Sequence, residues 1–158
     1  MKKTEYLQQD AFLEHSRELW KKVGSHGIMT LATCAENRVT ARVMSVIVYN
    51  GKFYCQTDEN FLKYKQITKN PNVALCYKNY SIEGVCRCIG KPLDEKNIFF
   101  AKAFKKHFFA SYKAYSALKT ECLLEITPTL IYVWEYEFMK PYMEYWDFTN
   151  KEYKREDK

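Results

Sequence analysis

The sequence predicts a mainly β domain, a small barrel of six or seven short strands with flanking helices, and three observations carry that prediction. First, β-branched and apolar residues recur in short runs bounded by Gly, Pro, Asn or Asp, the pattern of many short strands. Second, Asn50-Gly51 separates two such runs, and both central residues of a type I′ turn need φ > 0, so a tight hairpin is expected there. Third, helical periodicity is confined to a few stretches, and the 158 residues contain no repeat, linker or low-complexity block, which suits one domain.

Taken in order, residues 8–23 put Phe12, Leu19, Trp20 and Val23 near helical spacing with charge between them, an amphipathic helix ending at Gly24. Ile28 to Cys34 alternates as a first strand, followed by a turn at Glu36-Asn37. Arg42 to Val48 and Phe53 to Thr57 are the two strands of the hairpin, and a short helix covers 61–69, stopping before Pro71. Val73 to Tyr77 and Gly84 to Ile89 are further strands, the second broken by Gly90-Lys91-Pro92. Asp94 to Tyr115 reads as helix in two pieces, divided around Lys105-Lys106-His107. Cys122 to Ile126 and Leu130 to Glu135 read as two strands joined across Pro128, and residues 138–158 as a C-terminal tail whose charged end, Asn150 to Lys158, is expected to fray.

Composition bounds the function classes. Apolar residues make up 47% and aromatics 16%, and 25 Lys plus Arg against 19 Asp plus Glu leave a net charge of +6, which suits an anionic ligand but is also an ordinary solvated surface. A chain of this length buries roughly 68–70% of its unfolded surface. The six cysteines include no C-x-x-C, and Cys86 and Cys88, two apart on a strand, would sit about 7 Å apart, which is poor for a disulfide. The N-terminal segment has no apolar core of a leader, and no apolar run approaches the ~20 residues of a membrane span, so a reducing cytoplasm and no membrane are expected. The five glycines form neither G-x-G-x-x-G nor a P-loop; G-x-S-x-G and H-E-x-x-H do not occur; and His15, His26 and His107 have no metal-ligand spacing, so no metal is expected.

What remains is a phosphate cradle. Arg42 lies on a strand, Gln56 and Thr57 end the strand that returns from it, and Lys63 falls on the first turn of the following helix, where unpaired N–H groups favour an anion. Asp58 is the expected helix cap. Taken singly, Arg42 is an outward strand residue and Lys63 a solvated helix residue; the pairing with Gln56 and Thr57 favours a ligand.

The run Lys63-Tyr64-Lys65-Gln66-Ile67-Thr68-Lys69-Asn70-Pro71-Asn72-Val73-Ala74-Leu75 resembles the K-x-x-Q-I-x-x-N-P-x-V-x-L segment of the pyridoxamine 5′-phosphate oxidase-like flavin-binding family. The strand Arg42 to Ile47, Thr57 six residues before Lys63, the strand end Ile89-Gly90-Lys91 and the run Pro128 to Trp134 resemble the same family in the same order, over residues 28–135. The resemblance implies a split β-barrel that forms a homodimer and binds FMN between subunits. Arg42 and Lys63 would hold the phosphate, backbone groups of Val43, Met44 and Ser45 would face the isoalloxazine edge, Gln56 and Thr57 would add polar contacts, and Trp134 would reach the flavin of the other subunit. One phosphate cradle without a dinucleotide fingerprint suits FMN better than FAD.

The sequence also departs from the true oxidases of that family. Leu62 stands where they have an Arg, Val85 where they have a Gln, Ile47 where they have a Lys, and their C-terminal Arg-rich segment is replaced by PYMEYWDFTNKEY. The expected function is therefore FMN binding in a small flavin-dependent oxidoreductase of unassigned substrate, not pyridoxamine phosphate oxidation. The alternatives are a non-enzymatic flavin-binding or stress-related protein and, third, an RNA-binding small barrel, which lacks any RNP-type motif, so no nucleic-acid partner is expected. The aromatic tail, Tyr142, Tyr145, Trp146 and Phe148, is read either as a strand packed across the dimer or as a wall facing the flavin.

Overall fold

The computed structural model describes residues 2–158, with side chains of the first helix described from Gln8 onward. In chain order the elements are α1 (Lys2–Val23), β1 (His26–Ala35), β2 (Arg38–Tyr49), β3 (Lys52–Asp58), α2 (Leu62–Lys69), β4 (Asn72–Tyr77), β5 (Tyr80–Cys88), a 3₁₀ turn (Glu95–Asn97), α3 (Ile98–His107), α4 (Phe109–Tyr115), β6 (Glu121–Glu137), β7 (Lys140–Asp147) and β8 (Glu152–Asp157). The strands run in the order β3-β2-β1-β4-β5-β6, and β6 pairs back onto β3 to close a six-stranded antiparallel barrel; β7 and β8 continue outward from β6.

Asn50 and Gly51 both take positive φ, 47° and 71°, and make the expected tight hairpin between β2 and β3. That hairpin pairs for only three positions, Ile47↔Tyr54 to Tyr49↔Lys52, before the strands part. β2 stays paired with β1 over its remaining length, from Ile47 down to Arg38, while β3 turns to β6. The barrel is therefore split along one side of β2.

Two sequence expectations are corrected by β6 and the tail. Pro128 does not separate two strands: Glu121–Glu137 is one strand of 17 residues, pairing first with β3, then with β5, then with β7. The register slips opposite Glu83 and Gly84, leaving Thr129 as an extra residue, and a bulge of this kind is where a strand tolerates a proline. Gly84 permits the close approach; a Cβ there would meet the Thr127 carbonyl oxygen at 2.6 Å. The C-terminal end does not fray either. Glu152–Asp157 pairs with β7, and Arg155 clips it down through Glu137 at 2.6 Å and the Tyr142 ring at 3.9 Å. The aromatic tail is indeed a strand, but one paired within the chain, with Trp146 buried in the main core.

That core fills the barrel with Leu31, Val46, Phe53, Leu75, Ile82, Leu124, Ile126 and Ile131, and α1 stoppers it with Phe12, Leu19 and Val23. Each such side chain contributes about 1.5–3 kcal/mol on burial. Trp20 of α1 packs against Phe53 and Phe148, ring centroids 5.7 and 5.8 Å away. A second, smaller core lies outside the barrel, where α3 lays Phe100 and Phe104 over Ile47, Tyr54 and Leu123. This packing fixes the helical segment beside the split. All six cysteines are free; Cys55, Cys86 and Cys122 are buried as small core residues, while Cys76 and Cys88 are exposed. Among the described residues no helix is long and apolar enough to cross a membrane.

Candidate functional site

Where β2 and β3 part, backbone polar groups lose their strand partner. The Val48 N–H donates to the Ser25 carbonyl on the β1 side at 2.8 Å. Antiparallel strands alternate, so the main-chain groups of Met44 and Arg42 also face β1, and those of Ser45 and Val43 face the split. A cavity of about 320 Å³ occupies that split. β2 lines it with Val43, Met44 and Ser45, β3 with Gln56, Thr57 and Asp58, and the entry to α2 with Phe61 and Lys63. The far wall is Phe104, Ser111, Tyr115 and Leu118, and Glu121 at the start of β6 completes the lining.

Of the residues singled out in the sequence, Val43, Met44, Ser45, Gln56, Thr57 and Lys63 therefore meet around one cavity. Lys63 Nζ donates to Thr57 Oγ1 at 3.2 Å and sits 4.6 Å from the centre of the Phe61 ring. Burial first, and then the Arg42 charge, lower its pKa from the usual lysine value. Gln56 is committed elsewhere: its Oε1 accepts from Ser116 Oγ at 2.7 Å, tying β3 to the chain beyond α4.

Arg42 borders the cavity rather than lining it. Its guanidinium donates to the Leu31 carbonyl at 3.1 Å, to Thr33 Oγ1 at 2.8 Å and to Thr40 Oγ1. The same two threonines donate to Gln66 Oε1 at 2.6 and 2.7 Å, and Gln66 Nε2 donates to the Arg38 carbonyl at 2.7 Å. This network anchors α2 to the β1–β2 ladder and holds Lys63 in place. No carboxylate bonds Arg42 among the described residues, and a guanidinium has five N–H donors, so two remain free. Trp134 is far from the cavity: it lies 13 residues beyond Glu121 on β6, roughly 40 Å along the strand, 41% exposed and edge-on to Tyr136.

The start of α2 differs from the sequence expectation. Asp58 does not cap it; its Oδ1 accepts from the Asn60 N–H at 2.7 Å, making a turn before the helix, and Phe61 stands at the N-cap position with no side-chain bond. The N–H groups of Leu62 and Lys63 precede the first intrahelical bonds, which begin with Tyr64 and Lys65 to the Phe61 carbonyl. Free N–H groups beside a lysine are a fitting anion site.

Glu121 is the cavity residue that sequence reasoning missed. The residue is 4% exposed, no described residue hydrogen-bonds its carboxyl, and the side chain faces the cavity. Burial, reinforced by the neighbouring Asp58 charge, pushes its pKa up to about 7, against the opposing pull of Lys63 and Lys91. The only signal in the sequence is an acid at the very start of a strand, TECLLEI. Asp58, opposite it in register, is held below the usual carboxylate range by hydrogen bonds from Thr120 and Asn60.

These residues fit FMN: a cation with free N–H groups for one phosphate, and unpaired main-chain groups on β2 for a ring edge. Residues 12–135 match the family model described as pyridoxamine 5′-phosphate oxidase. No curated protein matches the chain. Among solved structures, a pyridoxamine 5′-phosphate oxidase-related, FMN binding protein from Nostoc punctiforme is similar in fold, with a TM-score of 0.55 at 15% identity, covering 83% of this chain and 86% of that one. A heme binding protein from Mycobacterium smegmatis gives 0.62 at 13% identity, covering 80% and 55%. HutZ, the heme storage protein from Vibrio cholerae, gives 0.56 at 13% identity, covering 64% and 80%. The split barrel, the ordered motifs and the match over residues 12–135 agree, and the chain belongs to the pyridoxamine 5′-phosphate oxidase family.

Proposed function

We propose that the cavity between β2 and β3 binds FMN and that the protein is a small flavin-dependent oxidoreductase. The observation that carries this is the convergence of Lys63, the free N–H groups of Leu62 and Lys63, and the unpaired edge at Val43 and Ser45 around one cavity. Lys63, with Arg42 behind it, supplies the charge for a phosphate dianion. The Val43 and Ser45 main chain orients the flat ring, and Phe61, Phe104 and Tyr115 exclude water from it. Bound FMN would supply hydride and electron transfer; the chain supplies binding, orientation and electrostatics.

The family resemblance supports a homodimer with each cavity completed by the other subunit, and the exposed Trp134 and the apolar outer face of β2, with Val43 66% exposed, are surfaces such a partner would cover. Sedimentation at micromolar concentration tests this; a stable monomer that holds FMN would contradict it. Pyridoxamine phosphate is not the substrate in this reading, because Ile47 stands where one of a second set of cations would be needed, the C-terminal Arg-rich segment is absent, and the only Arg beyond Arg87, Arg155, is spent on Glu137 and Asp157.

Heme is a weaker occupant of this cavity. No histidine lines it; His26 is stacked on His107 and His15 on Tyr153, outside it. Titration of the purified protein with FMN, followed by quenching of flavin fluorescence, tests the proposal. Saturable one-to-one binding per chain is expected, and NAD(P)H consumption by the loaded protein separates an oxidoreductase from a flavin carrier. Failure to bind FMN, with tight binding of heme or RNA, would overturn it.

A further inference from the structure

Asp58 and Glu121 face each other in register across β3 and β6, and the fold treats them oppositely. Asp58 receives the Asn60 N–H, Asn60 Nδ2 and Thr120 Oγ1. Glu121 receives nothing from the described residues, although it is the more buried of the two and lines the cavity. Two adjacent carboxyls with one set of donors separate into a charged member and a protonatable one. A carboxyl on the wall of a largely apolar cavity, without a donor from the chain, favours its neutral form until a partner enters the cavity.

The charged groups around Glu121 are few. Asp58 faces it from β3 and Lys63 from α2. Lys91 approaches from the turn after β5, but its Nζ is already held by Glu59 at 3.0 Å and the Lys119 carbonyl at 2.8 Å. Arg42 and the buried thiol of Cys55 act on Lys63 from behind, and the Tyr115 phenol lines the wall from α4. With Glu121 neutral, Lys63 and Arg42 outweigh Asp58; with Glu121 ionised, the charges balance. An anion entering the cavity therefore favours the protonated form.

We propose that Glu121 faces the anionic ligand of this cavity as a carboxylic acid, and that the site takes up a proton from solvent onto the Glu121 carboxyl each time that ligand binds. The proton returns to solvent on release, so the cavity couples anion binding to protonation. The inference rests on the reading of the cavity as an FMN site and deepens it. Burial already pushes the carboxyl's pKa up to about 7 in the cavity. If a bound phosphate raises that point by about one unit, proton uptake at pH 7.5 is roughly half a proton per FMN, and affinity weakens roughly sixfold between pH 6.5 and 8.5. The phosphate itself works in the opposite direction: with a second ionisation near pH 6, it is a better ligand as pH rises.

The test is calorimetric titration of the wild-type protein with FMN at pH 7.5, in buffers of different ionisation heat, which counts protons exchanged. The same titration with riboflavin, which lacks the phosphate, and with the isosteric Glu121→Gln variant completes it. Net uptake with FMN, little with riboflavin and none with Glu121→Gln is expected. FMN binding without uptake by the wild-type protein overturns this inference alone, as does uptake that survives Glu121→Gln. Absence of FMN binding to the wild-type protein overturns both this inference and the reading on which it rests.

Discussion

Glu121 and Glu125 lie four residues apart on one strand, on the same face, opposite the same partner strand, and at 4% and 6% exposure they are almost equally buried. Their surroundings make them opposites. Glu125 accepts from Arg87 Nε at 2.9 Å and from the Tyr54 hydroxyl at 3.1 Å, and Lys52 Nζ lies 3.2 Å away. Burial alone would raise its pKa, but the bonds from Arg87, Lys52 and Tyr54 outweigh burial and hold it below the usual range. Glu121 has no hydrogen-bond donor among the described residues, and burial with the Asp58 charge outweighs the pull of Lys63 and Lys91. The difference follows from the split in the barrel. At the Glu125 end, β2, β3, β5 and β6 are all paired, and side chains of β3 and β5 converge on the carboxylate. At the Glu121 end β2 has left, and the space it vacates is the cavity. The structure satisfies one acid by its own packing and leaves the other to whatever binds.

The pH dependence of stability is the largest expected consequence. Glu121 has a folded pKa above its unfolded value, so its effect is absent below about pH 4.5 and destabilises increasingly as pH rises to about 7, above which it is constant. Glu121→Gln should therefore match wild type in urea melts at pH 4 and exceed it at pH 8 by at most roughly 3 kcal/mol. Equal stability at both pH values would mean that the carboxyl is not held neutral. Glu125 has the reverse sign: its stabilisation is full above the unfolded pKa and is lost as pH falls through the lower folded one. Glu125→Gln at pH 7 should cost about 2 kcal/mol, since the buried Tyr54 hydroxyl loses its charged acceptor while Arg87 and Lys52 reach solvent. If the two variants move stability in the same direction at pH 8, the contrast between the two ends is wrong.

A smaller effect is expected behind the cavity. Arg42→Met removes the donors that cross-link Thr33, Thr40 and Leu31 to the ladder beneath Gln66, at a cost of about 1–1.5 kcal/mol in thermal or urea unfolding. FMN affinity should fall with it, by up to about tenfold. A loss of FMN affinity with no loss of stability would place the guanidinium on the ligand instead of on the threonines.

How much of this was legible in the sequence depended on how local the cause was. Asn50-Gly51 announced the hairpin because positive φ at two adjacent positions is chemistry of those two residues alone. Lys63 and Thr57 could be placed together because a strand end and a helix start six residues apart leave little freedom. Pro128 misled because its bulge is created by Gly84 on another strand, which the local reading of a proline cannot see. The tail is not legible locally because a run of charges at a chain end implies solvation, whereas Arg155 has Glu137 and the Tyr142 ring waiting across a hairpin. Glu121 was invisible for the same reason: whether a buried acid is saturated or bare depends on which strands arrive beside it, and four residues away the answer reverses.

The most direct test of the central claim compares FMN with riboflavin, by fluorescence titration at pH 7, on wild-type protein and on Lys63→Ala. The two ligands differ only by the phosphate, so their affinity ratio isolates the cradle from the ring contacts at Val43 and Ser45. Wild type should prefer FMN, and Lys63→Ala should lose on the order of 1.5–3 kcal/mol of FMN binding, about ten- to a hundredfold, with riboflavin binding nearly unchanged. A folded Lys63→Ala protein that keeps the full preference for FMN would show that the phosphate is held elsewhere.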